Sequence, residues 1–198
     1  MPNEFFKRIF DIIFSLLVII FVFSWLYPIL ALLIKLESPG PIFFVQVRTG
    51  QNNTHFKCYK FRSMRINGDA DKKQATRNDH RVTRIGAFLR KTSLDELPQF
   101  FNVLIGNMST VGPRPHMISH TEKYARETHQ FEKRQILRPG ITGWAQINGL
   151  RGEIHNHETI LKRIDADVWY LANRSFILDL KIIILTFWIV INGDKNAY

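Results

Sequence analysis

The stretch "IIFSLLVIIFVFSWLYPILALLI", residues 12–34, runs for 23 residues without a charge and is interrupted only by Ser15, Ser24 and Pro28. At 1.5 Å per residue a helix over it covers about 34 Å, enough for the hydrocarbon layer of a bilayer. A secretory signal fits poorly, because the run is too long and no small-residue cleavage site follows it, so it is expected to stay in the mature protein. Both flanks are basic: Lys7 and Arg8 precede the run, while Lys35 and the rest of the positive charge follow it. The positive-inside tendency therefore pulls both ends toward the cytoplasm. Pro28 removes a backbone donor, so a helix that enters the membrane, breaks around residues 24–28 and leaves on the same side satisfies both flanks. A straight or kinked span satisfies length equally well. Asp11, at the mouth of the run, is costly in lipid and is expected at the interface with Lys7 or Arg8 as its partner.

After residue 36 the composition turns abruptly soluble, at "ESPGP". This divides the chain into a membrane-embedded segment, 1–36, and one domain, 37–198, long enough for a core of its own. The net charge of +10, from 27 Lys and Arg against 17 Asp and Glu, favours anionic partners: phosphorylated ligands, acidic lipid or nucleic acid. The single cysteine, Cys58, excludes an internal disulfide framework and reads as a half-buried strand residue. "PIFFVQVRTG" and "HFKCYKFRSM" read as two strands joined by a turn at residues 50–53. Residues 67–80 are polar and aperiodic, as in a mobile surface loop. At the far end, "IIILTFWIVI", residues 182–191, is too short to span and includes the interface-seeking Trp188. An amphipathic or core helix lying against the membrane surface is expected there, led in by residues 176–181 with Asp179 and Lys181. The expected class is α+β, mainly helical with a short β-hairpin, an N-terminal re-entrant helix-break-helix and interfacial amphipathic helices.

"KTSLDELPQF", residues 91–100, sets adjacent carboxylates Asp95 and Glu96 just before a proline. Ser93 followed by Glu96 is a capping-box pattern, and acidic residues stabilise a first helical turn. Pro98 opposes that reading, because as the fifth helical residue its ring meets the Leu94 carbonyl and its missing N–H breaks the ladder. A helix beginning near Pro98, with the carboxylates in the turn before it, is expected. From there Leu94, Leu97, Phe101, Leu104 and Ile105 follow helical spacing, and Asp95, Gln99 and Asn102 form an opposite face expected to be polar and open. At a distorted turn both carboxylates can reach one Mg²⁺, which takes one or two carboxylates together with substrate phosphates.

Turn-rich arginine stretches support such a site. In "VGPRPH" the prolines at 113 and 115 fix the backbone around Arg114, as a phosphate clamp needs. In "LRPGITGWAQINGLRGE", Arg138 and Arg151 flank a loop whose glycines, at 140, 143, 149 and 152, let backbone amides approach a ligand while Trp144 offers a stacking face. Arg90, Arg114 and Arg138 beside a metal suit phosphoryl transfer, which rests on positioning and charge neutralisation. Lys60 and Arg62 of "YKFRSM" complete the phosphate-binding candidates. Neither "HMISH" nor "HNH" has a zinc pattern, and no Walker or G-x-G-x-x-G loop is present. Basic and aromatic residues interleave at 56–65 without a nucleic-acid reader module around them, so no nucleic acid is expected.

Together these motifs resemble the bacterial polyprenyl-phosphate sugar-phosphate transferases, the membrane-bound phosphoglycosyl transferases. The likeness runs through "FKRIFD", "SPGPIFFVQVRTG", "YKFRSM", "RVTRIGAFLRKTSLDELPQFFNVL", "MSTVGPRPH", "RPGITGWAQINGLRGE", "LDLKIIILT" and "KNAY". The resemblance implies transfer of a sugar 1-phosphate from a UDP-sugar to undecaprenyl phosphate with Mg²⁺, at the cytoplasmic face of the bacterial inner membrane, with UMP as leaving product. It implies Asp95 as the nucleophile of a covalent phosphosugar intermediate, Glu96 as a metal partner, and the re-entrant hairpin rather than a span. "NGLRGE" and "KNAY" look most like the branch that starts exopolysaccharides with glucose 1-phosphate, whose members usually carry extra N-terminal membrane helices. Asn107 stands where the family usually has Asp in "GDMS", so no role is assigned to it. A homodimer is compatible with this reading. The contrasting reading is a membrane-tethered basic binding module without catalysis, which gives no reason for two carboxylates among arginines.

Overall fold

The computed structural model describes residues 4–68, 76, 79–128, 130–152 and 157–193. Most of segment 67–80, His155 and Asn156 of "HNH", Glu153 of "NGLRGE" and the closing "KNAY" lie outside these residues. The described chain is mainly helical with two small sheets. Its opening is one helix, Glu4–Glu37, long and apolar enough to cross a membrane. It is composed of α1 (Glu4–Val18), a π-helical turn (Ile19–Phe23) and α2 (Ser24–Glu37).

Pro28 does not interrupt this helix. Val18, Phe23 and Ser24 all keep right-handed helical angles, and the irregularity is the widened turn Ile19–Phe23 ahead of α2. A widened turn re-registers the ladder, and side chains take up freed carbonyls: Ser24 Oγ donates to the Ile20 oxygen at 2.5 Å and Trp25 Nε1 to the Phe21 oxygen at 2.8 Å. A helix that meets a proline in an apolar setting must satisfy its backbone locally. The expected break is thus replaced by a π turn.

One face of this helix completes two cores. Phe23, Leu30 and Ile34 are buried with Phe61 and Leu89, and Tyr27, Phe43 and Phe101 pack around them. Phe10 and Phe14 join the cluster of Val111, Leu137, Tyr170, Ile182 and Ile183. Asp11 is buried instead of interfacial, its Oδ1 accepting the Thr110 amide at 2.9 Å. Lys7 bonds Asp179 at 2.6 Å, and Arg8 donates to the Val103 and Leu104 carbonyls. The expected partners of Asp11 are therefore drawn to the domain. The opposite face, including Phe21, Trp25, Ile29 and Leu32, is exposed.

The hairpin forms as the sequence indicates: β1 (Phe43–Thr49) pairs antiparallel with β2 (His55–Phe61) through a turn at Gln51–Asn53, where Asn52 and Asn53 take positive φ. Cys58 is buried in β2. Next come α3 (Arg84–Lys91), whose N-cap Thr83 accepts the Gly86 amide, and α4 (Gln99–Ile105). Glu37, at the end of α2, accepts the amides of Arg84 and Ile85 at 2.6 and 2.8 Å, a carboxylate at a helix N-terminus where its charge is favoured.

The face of α4 expected to be open is the buried one. Gln99 and Asn102 are enclosed, and Ile105 is exposed. Asn102 Oδ1 accepts the Tyr59 amide and its Nδ2 donates to the Lys57 carbonyl, so its amide serves the free edge of β2. A polar residue whose every group finds a backbone partner is as buriable as a leucine, and spacing alone does not reveal that.

β3 (Ser109–Val111) and β4 (Gly140–Thr142) form a parallel pair. A Cβ on Gly140 would lie 2.1 Å from the Gly112 nitrogen, so this glycine serves a close approach of two backbones rather than a ligand cradle. Trp144, on α7 (Trp144–Ile147), stacks on Trp169 of α8 (His157–Asn173) with ring centroids 4.4 Å apart. That stacking face is thus occupied. Helices α5 (Ile118–Glu127) and α6 (Gln130–Arg134) pack on α8 around Tyr124, Phe131, Ile160 and Ile164. The final helix, α9 (Phe176–Asn192), merges residues 176–181 with the apolar run after them. Asp179 is buried against Tyr170, while Ile184, Phe187, Trp188 and Ile191 are exposed.

Candidate active site

The turn before α4 decides the site. Ser93 sits in the left-handed region at φ 59°, residues Leu94–Glu96 form a single 3₁₀ turn, and Pro98 is the N-cap of α4. The 3₁₀ bonds, Glu96 N to Ser93 O and Leu97 N to Leu94 O, ask nothing of Pro98, which has no donor. The capping box does not form, and Ser93 Oγ instead accepts from Arg151 Nη1 at 2.7 Å.

This turn places both carboxylates on the wall of a cavity of about 650 Å³, with Asp95 7% and Glu96 4% exposed. Their surroundings differ sharply. Glu96 Oε1 meets Lys60 Nζ and Arg114 Nη2, each at 2.7 Å; its Oε2 meets Arg114 Nη1 at 3.3 Å and Arg151 Nη2 at 3.4 Å. Asp95 faces Lys60 at 3.9 Å. Burial alone would raise Glu96, but Arg114, Lys60 and Arg151 override it and hold the carboxyl well below the usual range. Burial pushes Asp95 up, opposed by Lys60 and reinforced by Glu96. Two neighbours in sequence are thereby driven apart, the arrangement that marks groups with different chemical duties.

Of the arginines singled out from the sequence, Arg90, Arg114 and Arg151 line this cavity, as does Lys60. Arg62 also lines it, but its guanidinium donates to the Ser38 and Pro39 carbonyls, fixing the chain as it leaves α2. Arg138 is not among the lining residues; its carbonyl faces Gly112.

Arg48, Arg65, His116 and Arg163, which no motif singled out as site residues, also line the cavity. β1 offered a signal for Arg48: Gln46 is buried while Val45 and Val47 are exposed, a strand with its polar side in and its valines out. Arg48 binds Gln46 Oε1 at 2.8 Å and the Pro115 carbonyl at 2.7 Å, and Thr49 N bonds the His116 carbonyl, so β1 pins "VGPRPH" in place. Burial, then Arg134 and Arg163, hold His116 well below its ordinary value, and it is neutral. Burial and Arg114 push Arg163 down to about 10. Eight arginine or lysine side chains line the cavity against two carboxylates, a balance that attracts a polyanion.

A second cavity, of about 80 Å³, lies behind the turn. Glu96 and Arg151 line it too, with Leu97, Phe100, Ile147, Ile189 and Val190 among its walls. Among the described residues no group of three or more His, Cys, Asp or Glu side chains is placed to hold a metal ion.

Comparison with known proteins matches residues 2–193 to the family model described as bacterial sugar transferase. The chain is 51% identical over 199 residues to the UDP-glucose:undecaprenyl-phosphate glucose-1-phosphate transferase of Klebsiella pneumoniae, covering 99% of this chain and 42% of that one. It is 45% identical to the exopolysaccharide production protein PSS of Rhizobium leguminosarum bv. phaseoli, over 89% of this chain and 90% of that one. It is 43% identical to the UDP-N-acetylgalactosamine-undecaprenyl-phosphate N-acetylgalactosaminephosphotransferase of Aeromonas hydrophila, over 96% of this chain and 44% of that one. The chain thus spans less than half the length of the first and third of these relatives.

Proposed function

The chain belongs to the bacterial sugar transferase family, and on that premise we propose that it transfers a sugar 1-phosphate from a UDP-sugar, of the glucose or galactose type, to undecaprenyl phosphate, initiating a surface glycan. Carrying this reading is the asymmetry of Asp95 and Glu96 in a cation-lined cavity. Glu96 is spent in three ion pairs that fix Lys60, Arg114 and Arg151. Asp95, whose nearest cation is Lys60 at 3.9 Å, is the carboxylate left to react.

In the first step an Asp95 carboxylate oxygen attacks the phosphorus next to the sugar. A P–O bond forms to Asp95, the bond to the bridging oxygen breaks, and UMP leaves with the electron pair. In the second step a phosphate oxygen of the acceptor attacks the same phosphorus and Asp95 departs as carboxylate. Splitting the transfer lets a soluble donor and a lipid acceptor use one site in turn. Arg90, Arg114 and Arg151 orient the donor phosphates and neutralise the charge that develops on their oxygens. Mg²⁺ belongs to the proposal: Asp95 and Glu96 would hold it together with substrate phosphates, as this ion takes one or two carboxylates, with Glu96 exchanging one of its three ion pairs for the metal, and the ion would add charge neutralisation at the diphosphate.

We place the protein at the cytoplasmic face of the bacterial inner membrane, with α1 and α2 entering and leaving on that one side through a bend at the π turn, the kind of irregularity at which helices kink. What supports this topology is that one body grips both ends, Arg8 and Asp11 at α4 and β3, Glu37 at α3. The test of function is a panel of UDP-sugars offered to the purified protein without acceptor. We expect a burst of about one UMP per chain with the preferred donor and a phosphosugar mass on the peptide containing Asp95. UMP appearing only once acceptor is added would overturn the covalent mechanism.

A further inference from the structure

Glu96 and Arg151 border two cavities at once. On one side is the large chamber where charged walls suit a nucleoside diphosphate; on the other is the small cavity between α4, β4, α7 and α9. We propose that this small cavity receives the first isoprenoid segment of the lipid acceptor, bringing its phosphate to Arg151 beside the reacting phosphorus. The assignment rests on the transferase reading above and adds where the second substrate enters.

The walls argue for a hydrocarbon occupant. Leu97, Phe100, Ile147, Ile189 and Val190 supply the apolar lining, and taking apolar surface out of water favours a hydrocarbon against it. The charged groups are at the turn, where Ser93, Glu96 and Arg151 meet, and away from it the hydroxyls of Thr142 and Thr186 satisfy each other at 2.6 Å, leaving Gln146 as the further polar wall group. A ligand anionic at one end and apolar along the rest matches that gradient, as in sites where a few placed polar groups fix an apolar body. The α9 wall is continuous with a greasy surface: Ile189 and Val190 are half-buried on α9, whose neighbouring Phe187, Trp188 and Ile191 are exposed. Trp at such a place favours the headgroup level of a bilayer. A lipid can thus reach Arg151 from the membrane without crossing the aqueous chamber.

One polar wall group tests this occupant against another. Gln146 is buried and lines the cavity; its Nε2 donates to the Ile141 carbonyl, while its Oε1 has no partner. A sugar hydroxyl could donate there, which would make this the subsite of the transferred sugar instead. The two occupants act in different half-reactions, so kinetics separates them.

Val190→Trp and Ile189→Trp, which fill the cavity from its α9 wall, are compared with the exposed control Phe187→Trp, all in vesicles of fixed composition. We expect both filling variants to release UMP from UDP-sugar as the wild type does, while the KM for polyprenyl phosphate rises at least tenfold. The control should match the wild type in both assays, and Val190→Ile should restore most of the affinity. An unchanged acceptor KM in the filling variants overturns the assignment. UMP release falling in step with transfer overturns it as well and assigns the cavity to the sugar. If the wild type itself releases no UMP without acceptor, the two-step mechanism fails first, and the acceptor KM of the filling variants still decides the occupant of the cavity on its own.

Discussion

Asp95→Asn is expected to abolish both UMP release and lipid-linked product, with losses of roughly 10³-fold or more, as removal of a covalent nucleophile costs. The same substitution should make the fold more stable. Burial raises the Asp95 carboxyl above its ordinary value of 3.8, so the charged form is the one the fold disfavours. As pH rises past 3.8 the unfolded chain ionises first, and the full cost of holding the charge is present once the folded group has ionised. Asparagine removes that cost, and a gain of about 1 kcal/mol is in the range of known trades between activity and stability. Thermal unfolding in detergent at neutral pH reads it directly. An asparagine variant that keeps wild-type turnover would sink the nucleophile, and one that melts earlier would sink the electrostatic account of Asp95.

Glu96→Gln should behave in the opposite sense. Its carboxylate is buried beneath Lys60, Arg114 and Arg151, and removing one partner of a buried ion pair costs roughly 3–5 kcal/mol because the cations left behind are uncompensated. We expect a loss of about 3 kcal/mol in stability, together with a steep fall in turnover as Arg114 and Arg151 lose their anchor. Because its folded carboxyl lies well below the ordinary 4.5, its contribution is fully present above that pH and fades as pH falls toward the folded value. The wild type should therefore lose stability over that acid window and the glutamine variant much less. Equal acid sensitivity in the two proteins would refute the assignment. Neighbours one residue apart would then differ in the direction of their effect on stability while agreeing in their effect on activity.

The position of Asp95 and Glu96 could be read from the sequence because one local rule decided it. Pro98 cannot sit inside a helix begun at Ser93, and the turn forms where that rule puts it. The hairpin was legible for a similar reason, since β-branched runs and a polar turn are local signals. What could not be read depends on contacts distant in sequence. Asn102 is buried by the open edge of β2, Asp11 by the Thr110 amide, and Trp144 by Trp169. Arg163 reaches the cavity from a helix about 50 residues beyond Arg114. The parallel pairing of β3 with β4 joins strands of three residues each, too short to show a period. The π turn ends at Phe23, ahead of Pro28, which itself stays within α2, so the proline drew attention to the helix without giving the form or place of its irregularity.

The opening helix has a meaning for how the protein comes into being. Phe23, Leu30 and Ile34 close the core around Phe61 and Leu89, and at about 1.5–3 kcal/mol for each large apolar side chain buried they supply an amount comparable to the 5–15 kcal/mol that holds a typical domain folded. The soluble body cannot finish its interior until that helix is laid against it, while the helix cannot hide its outer face until it is in lipid. In the membrane-bound protein proposed above, insertion and folding are therefore coupled, because the one helix closes the core with its inner face and meets lipid with its outer one.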